Sequence, residues 1–308
     1  MTNALFAAGP DRWDTYVSPL KAAFEGAGLE VDLRQDFAPE EVDYIIYAPH
    51  SDLQDFRPYA RCKAVLNLWA GVEKITGNAT LTQPLCRMVD PGLTQSMVEW
   101  VTGHVLRYHL EIDRSVALQD RWLPYVPPLA EERPVTILGL GELGQACATA
   151  LTRLGFPVSG WSRTAKDLPD LSCHHGTDGL RDALASAQIV VLLLPDTPQT
   201  ANILDSNSLG WLPQGARIIN PGRGPLIDDA ALLAALDNGP VDHATLDVFR
   251  VEPLPEDHPY WAHPRVTVTP HIAAETRPLT ASRVIAENMR RGEAGEAFLY
   301  VVDRDRGY

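Results

Sequence analysis

Apolar residues recur along this chain with two different periods, and the periods divide it into elements. The runs Tyr44-Ile45-Ile46-Tyr47 and Ala64-Val65-Leu66-Asn67-Leu68, the second lying just before Gly71, read as strands of a first α/β unit, with a helix-like segment near Pro19 to Ala27 ahead of them. From Met97 to Gln119 the chain has no proline and shows apolar residues every three to four positions, which predicts one long amphipathic helix connecting two domains. Beyond the proline-rich stretch Pro124 to Pro134 the alternation becomes regular: strand Val135 to Leu138, helix Leu143 to Leu154, strand Val158 to Trp161, helix near Leu180 to Ala187, strand Ile189 to Leu194. Such alternation predicts a doubly wound parallel sheet with crossover helices. Further strands are expected at Arg217 to Asn220, Ala244 to Val248 and Val266 to Thr269, with a helix from Asp228 to Asn238. A last helix, Pro278 to Arg291, is expected to cross back to the first domain. No internal repeat or low-complexity tract interrupts the pattern.

Composition narrows the class. A chain of 308 residues with 45% hydrophobic and 21% charged content is too long for one small core, so two domains are expected. Its 26 Lys and Arg against 40 Asp and Glu give a net charge of -14, which argues against nucleic acid or an anionic membrane surface as a partner. An anionic substrate would need local arginines. Cys62, Cys86, Cys147 and Cys173 lie far apart, without metal or redox spacing, and fit a reduced, cytoplasmic chain. Residues Met1 to Pro10 lack the basic flank and apolar stretch of a secretory signal, and no run reaches the roughly 20 apolar residues of a membrane span.

Two motifs point to a dinucleotide. Gly139-Leu140-Gly141-Glu142-Leu143-Gly144 follows a predicted strand and opens a predicted helix. Its glycines permit a tight turn and close backbone approach to a pyrophosphate that faces the helix N-terminus. Alone the pattern fits any strand-to-helix turn; the strand before and the helix after favour the nucleotide. At the end of the next strand, where a carboxylate would hold a ribose 2′-hydroxyl, stands Trp161-Ser162-Arg163-Thr164. Its hydroxyls and the Arg163 guanidinium suit a 2′-phosphate, with Lys166 near enough to add charge, so NADP(H) is the expected cofactor.

Three further residues suggest chemistry. Arg223, in Asn220-Pro221-Gly222-Arg223-Gly224, lies in a turn whose glycines let a ligand come close, and a guanidinium there suits a carboxylate. Glu252, in Asp247-Val248-Phe249-Arg250-Val251-Glu252-Pro253, and His271, after Thr269-Pro270, are a candidate acid-base pair: the carboxylate orients the imidazole and stabilises its protonated form, which could protonate a ketone oxygen. The other eight histidines read as packing or surface residues. Neither adjacent His174 and His175 nor His104 and His109 have the helical spacing of a metal site, and no metal is expected.

Taken together, the glycine turn, Pro195-Asp196-Thr197-Pro198-Gln199-Thr200, Asn220 to Gly224, Leu246-Asp247-Val248-Phe249, Glu252-Pro253 and Pro270-His271 resemble the D-isomer-specific 2-hydroxyacid dehydrogenase family in order and spacing over residues 134 to 279. More narrowly, Gly160-Trp161-Ser162-Arg163, Glu252-Pro253-Leu254-Pro255, the run His263 to His271 and the terminal Val302 to Tyr308 look like its NADPH-dependent glyoxylate/hydroxypyruvate reductase A group. The resemblance implies an α/β protein of two Rossmann-like domains, a flavodoxin-like substrate domain (1–98 plus 280–308) and a dinucleotide-binding domain (99–279), with parallel sheets and an interdomain cleft. It implies that Arg223, Glu252 and His271 are catalytic: Arg223 on the carboxylate and keto oxygen, His271 as proton donor, Glu252 setting its state. It further implies that backbone amides of Ala70 and Gly71 hold the substrate carboxylate and that Asp247 lies near the nicotinamide amide. Leu194 and Pro195 would line the adenosine side and Pro221 would lie along the cofactor, beside Gly139, Gly141, Glu142, Leu143, Ser162, Arg163 and Thr164. The expected activity is NADPH-dependent reduction of a small 2-keto acid, glyoxylate or hydroxypyruvate, by a homodimer. Two positions depart from the group: Trp69 stands where relatives usually carry glycine, and Tyr47-Ala48-Pro49-His50 lacks a tryptophan usual about there. A reductase of bulkier 2-keto acids such as phenylpyruvate, and a dinucleotide-sensing regulator on the same fold, are the alternatives.

Overall fold

The structure is a computed structural model of the chain and describes residues 1–304 and 307. Asp305, Arg306 and Tyr308 of the terminal motif lie outside the described residues. Two compact units emerge, Met1–Leu93 with Glu275–Tyr308, and Thr94–Ala274.

The first unit opens with β1 (Thr2–Ala7), α1 (Pro10–Gly26), β2 (Val31–Arg34), β3 (Tyr44–Tyr47), β4 (Ala64–Asn67), α2 (Glu73–Thr76) and β5 (Leu85–Cys86). Its strands form one parallel sheet in the order β2-β1-β3-β4-β5. β3 and β4 are buried at every position, the continuous apolar signature of a parallel sheet covered on both faces. α1 starts nine residues before the segment expected from Pro19. Pro10 occupies its first turn, where a missing N–H costs nothing, and the helix continues through Pro19 because Tyr16, Leu20 and Phe24, four apart, bury one face.

α3 (Pro91–His109) and α4 (Ile112–Ala117) replace the single helix expected from Met97 to Gln119. The break falls at Glu111, whose left-handed backbone (φ 52°) precedes α4, and no residue of α4 is buried, so no packing carries the helix on to Gln119.

The second unit continues with β6 (Val135–Leu138), α5 (Glu142–Arg153), β7 (Val158–Ser162), β8 (Ser172–His175), α6 (Gly176–Ala185), β9 (Ile189–Leu192), α7 (Ser206–Leu209), β10 (Ala216–Asn220), α8 (Asp229–Asn238), β11 (Val241–Leu246) and β12 (Val266–Val268). Its seven strands pair in the order β12-β11-β10-β9-β6-β7-β8, all parallel. Strand order reverses between β6 and β9, which makes their carboxyl ends a topological switch point. β11 begins three residues before the expected Ala244; Asp242 and His243 hide it from an apolar pattern, yet the strand pairs with β10 from Val241 on. Finally α9 (Pro278–Glu293) belongs to the first unit, where Ala281, Ile285 and Met289 join the core and the helix packs on α1.

Candidate active site

The glycine-rich turn joins β6 to α5. Gly139 has φ +112°, and a Cβ there would stand 2.4 Å from the Leu193 carbonyl oxygen. A Cβ at Gly144 would lie 1.8 Å from the Gly139 oxygen, so close packing of strand, turn and helix demands both glycines. A Cβ at Gly141 would instead meet nothing within 4 Å. Gly141 is the N-cap of α5 and offers no side chain to the helix's first N–H groups, including those of Glu142 and Leu143. This open, uncapped N-terminus at the switch point is a cradle that fits the pyrophosphate of a dinucleotide.

The loop after β7 supplies charge beside that cradle. Ser162 is buried and donates its hydroxyl to the Thr164 carbonyl (2.8 Å), while Arg163 and Thr164 are exposed. The Lys166 ammonium donates to the Leu140 carbonyl (2.7 Å), fixing a cation on the glycine turn itself. Leu194 sits in the core, with Pro195 half-buried beside it; the Thr200 hydroxyl donates to the Pro195 carbonyl (2.6 Å) and holds that turn.

After β10 the chain makes a second built turn. The Asn220 side chain donates to the Arg223 carbonyl (2.9 Å) and accepts from the Gly222 N–H (3.1 Å). Pro221 and Gly222 are buried while Arg223 is half-buried, with one guanidinium nitrogen on the Gly222 carbonyl (2.7 Å). A Cβ at Gly224 would stand 2.0 Å from the Phe249 carbonyl carbon, so this turn packs backbone to backbone on the loop that carries Glu252. That loop is stapled by Arg250, which pairs with Asp229 (3.3 Å) and donates to Asn202 and the Ile227 carbonyl.

Glu252 and His271 meet. His271 Nδ1 lies 2.7 Å from Glu252 Oε2, and Glu252 Oε1 accepts from the Phe249 N–H (2.9 Å), so both carboxylate oxygens are engaged. Glu252 is thus held by its own loop and holds the ring. The imidazole stays half-exposed, and among the described residues its Nε2 has no hydrogen-bond partner.

His271 also has a left-handed backbone, φ +53°, which for a residue with a Cβ costs roughly 1–2 kcal/mol. Asp247 accounts for it. Its carboxylate is fully buried and accepts from the Thr269 hydroxyl (2.6 Å) and from the N–H groups of Ile272 and Ala273 (2.9 Å each). Its carbonyl accepts from the His271 N–H (2.9 Å). Asp247 therefore braces the whole turn that presents the imidazole, a function that the spacing of the sequence does not reveal.

Ala70 and Gly71 belong to the first unit, in the bend after β4. Asn67, last in β4 and 1% exposed, donates from its side-chain nitrogen to the Trp69 carbonyl (2.8 Å) and the Gly71 carbonyl (3.1 Å). Its own oxygen is buried without a partner among the described residues, which costs about 1–3 kcal/mol. The Trp69 indole stacks on the His50 imidazole, with ring centroids 5.0 Å apart and planes at 24°, which brings the Trp69 bend against the Tyr47–His50 segment.

Residues 103–273 match the sequence profile described as D-isomer specific 2-hydroxyacid dehydrogenase, NAD binding domain. The chain belongs to the D-isomer-specific 2-hydroxyacid dehydrogenase family. Over 257 residues it is 40% identical to the glyoxylate/hydroxypyruvate reductase A of Salmonella heidelberg, covering 80% of this chain and 82% of that one. Its fold is similar to that of a D-isomer specific 2-hydroxyacid dehydrogenase from Xanthobacter autotrophicus crystallised with NADPH and MES (TM-score 0.92, 41% identity, 100% of this chain and 99% of that one). It is also similar to an NADPH-dependent glyoxylate/hydroxypyruvate reductase from Sinorhizobium meliloti crystallised with NADP and sulfate (TM-score 0.84, 32% identity, 100% and 99% covered).

Proposed function

We propose that this protein is an NADPH-dependent reductase of small 2-keto acids, converting glyoxylate to glycolate and hydroxypyruvate to D-glycerate. The observation that carries the reading is the Glu252–His271 pair at 2.7 Å, its glutamate on a loop packed against the Arg223 turn. The names of the relatives in Salmonella heidelberg and Sinorhizobium meliloti support the substrate class, and the NADPH and NADP held by the two crystallised relatives support the cofactor.

Arg223 grips the carboxylate and keto oxygen in a charge-assisted fork. His271 gives its Nε2 proton to that oxygen as negative charge develops there. Glu252, on Nδ1, keeps the ring oriented and stabilises its charged form before transfer. When bound, the reduced nicotinamide supplies the hydride for the keto carbon. Gly139, Gly141, Glu142 and Leu143 hold the pyrophosphate of NADP(H), Ser162, Arg163 and Thr164 select its 2′-phosphate, Leu194, Pro195 and Pro221 flank it, and Asp247 supports the nicotinamide end through the turn it braces. Ala70 and Gly71 receive the substrate carboxylate. In this assignment residues 1–98 with 280–308 serve the substrate and residues 99–279 the cofactor.

The enzyme acts as a homodimer in the cytoplasm. Among the described residues no helix is long and apolar enough to cross a membrane, and all four cysteines are free thiols, the state a reducing compartment maintains.

Parallel assays of NADPH oxidation with glyoxylate, hydroxypyruvate and phenylpyruvate test this reading. Turnover is expected with the first two; preference for phenylpyruvate would favour a reductase of bulkier acids, and silence with all three a dinucleotide sensor.

A further inference from the structure

We propose that Asn67 is a positioning residue that presets the turn Trp69–Val72 to receive a carboxylate. The proposal rests on the reading that Ala70 and Gly71 hold the substrate carboxylate.

A trans peptide plane points its carbonyl and its N–H in opposite directions. Asn67 draws the Trp69 carbonyl (2.8 Å) and the Gly71 carbonyl (3.1 Å) toward the buried end of β4. The N–H groups sharing those planes, on Ala70 and Val72, must then point the other way. Among the described residues the N–H groups of Ala70, Gly71 and Val72 have no protein acceptor. The outward Ala70 and Val72 N–H groups, with the Gly71 N–H between them, suit an anion, and the turn lies at the carboxyl end of β4, the edge at which open parallel sheets bind ligands. The Met88 N–H also donates to the Trp69 carbonyl (3.1 Å), and the His50 ring holds the indole from outside, so the turn is fixed through backbone and side chain alike.

The side chain at 67 has no need to be polar for packing. The position is buried beside apolar β4 residues, and an asparagine there leaves its own oxygen without a partner. What the amide contributes that a leucine would not is two donors aimed at two carbonyls of one turn. The assignment of nitrogen and oxygen follows, because both partners are acceptors.

Asn67→Ala, which removes both donors, and Asn67→Ser, which retains one, test the proposal in the full chain. KM for glyoxylate and the Kd of oxalate, a carboxylate ligand with no reducible ketone, are measured on the NADPH-saturated protein together with the Kd of NADPH and the thermal midpoint. Asn67→Ala is expected to raise both carboxylate constants about tenfold, the loss of roughly one charge-assisted hydrogen bond, with kcat and the NADPH Kd within about twofold of wild type. Asn67→Ser should fall between. Folded variants with unchanged KM and oxalate binding, or equal losses for oxalate and NADPH, would overturn the proposal. A wild type that reduces no 2-keto acid yet binds oxalate through Asn67 would remove the proposed reaction and leave the preset turn standing. A wild type that neither reduces these acids nor binds oxalate would remove both.

Discussion

At the scale of single residues the reaction needs a proton donor, and His271 is the one imidazole in the second unit paired with a glutamate. His271→Ala is expected to lower kcat by a factor of about 10²–10⁴, the usual contribution of general acid catalysis, while the Kd of NADPH stays near its wild-type value. Glu252→Gln keeps the shape but removes the carboxylate that orients the ring and balances its charge, so it should lower kcat; unchanged turnover in either variant would remove the pair from the chemistry. Arg163→Ala should weaken NADPH far more than NADH in fluorescence titrations, and an equal effect on both would refute its hold on the 2′-phosphate. These residues were legible because each is a reactive type in a spaced motif. Asp247 and Asn67 were legible only as motif neighbour and strand end. Asp247 works through the Thr269 hydroxyl and two backbone N–H groups of the turn it braces (2.6–2.9 Å), Asn67 through two backbone carbonyls (2.8–3.1 Å), and no periodicity records which group a side chain will reach.

Elements decide how firmly those residues are held. The loop between β11 and the β12 strand carries Glu252, and Arg250 ties it to α8 through Asp229. That ion pair is partly solvated and contributes only about 0–1 kcal/mol to stability. Arg250→Ala should therefore leave the thermal midpoint almost unchanged yet lower kcat several-fold by loosening Glu252; a variant with wild-type kcat would show that the loop holds itself. α3 carries a second consequence. The His104 ring lies on Trp100, with centroids 4.2 Å apart and Nδ1 buried without a partner. Burial, helped by Arg107, pushes its pKa down to about 4 against the pull of Asp247 and Asp113. Burial also lowers His109 and His243. The unfolded chain protonates these rings near pH 6.5, whereas folded His104 does not until about pH 4, so the unfolded state binds more protons across that window. Stability should be insensitive to these groups above pH 6.5 and fall as pH drops from about 6.5 to about 4. Thermal midpoints of His104→Leu should show a shallower decline there; parallel curves would assign the acid sensitivity elsewhere.

For the whole molecule, the βαβ rhythm after Pro134 gave the seven-stranded sheet almost strand by strand, because central parallel strands are continuous apolar runs between crossover helices. The first unit was less legible. β1 begins with the polar Thr2 and Asn3, and Pro19 masks a helix that starts at Pro10. Least legible was the segment after α3, where an apolar period up to Gln119 suggested one amphipathic connector helix, but α4 ends at Ala117 and large apolar side chains here and in the proline-rich stretch that follows are exposed. Val116 is 64% exposed, Trp122 96%, Val126 87% and Leu129 66%. Several large exposed apolar side chains within one segment, separated by polar residues such as Gln119, Asp120 and Arg121, suit an interface, and the proposed homodimer supplies a second copy to cover them. A stable dimer buries about 800 Å² on each partner, an area that a segment of some twenty residues rich in large side chains is able to provide. Trp122→Asp combined with Val126→Asp should give a monomer by light scattering at micromolar concentration while the circular dichroism spectrum is kept, because neither side chain contributes to a core. A wild-type chain that is monomeric under the same conditions, or a doubly substituted chain that remains dimeric, would move the interface off this segment.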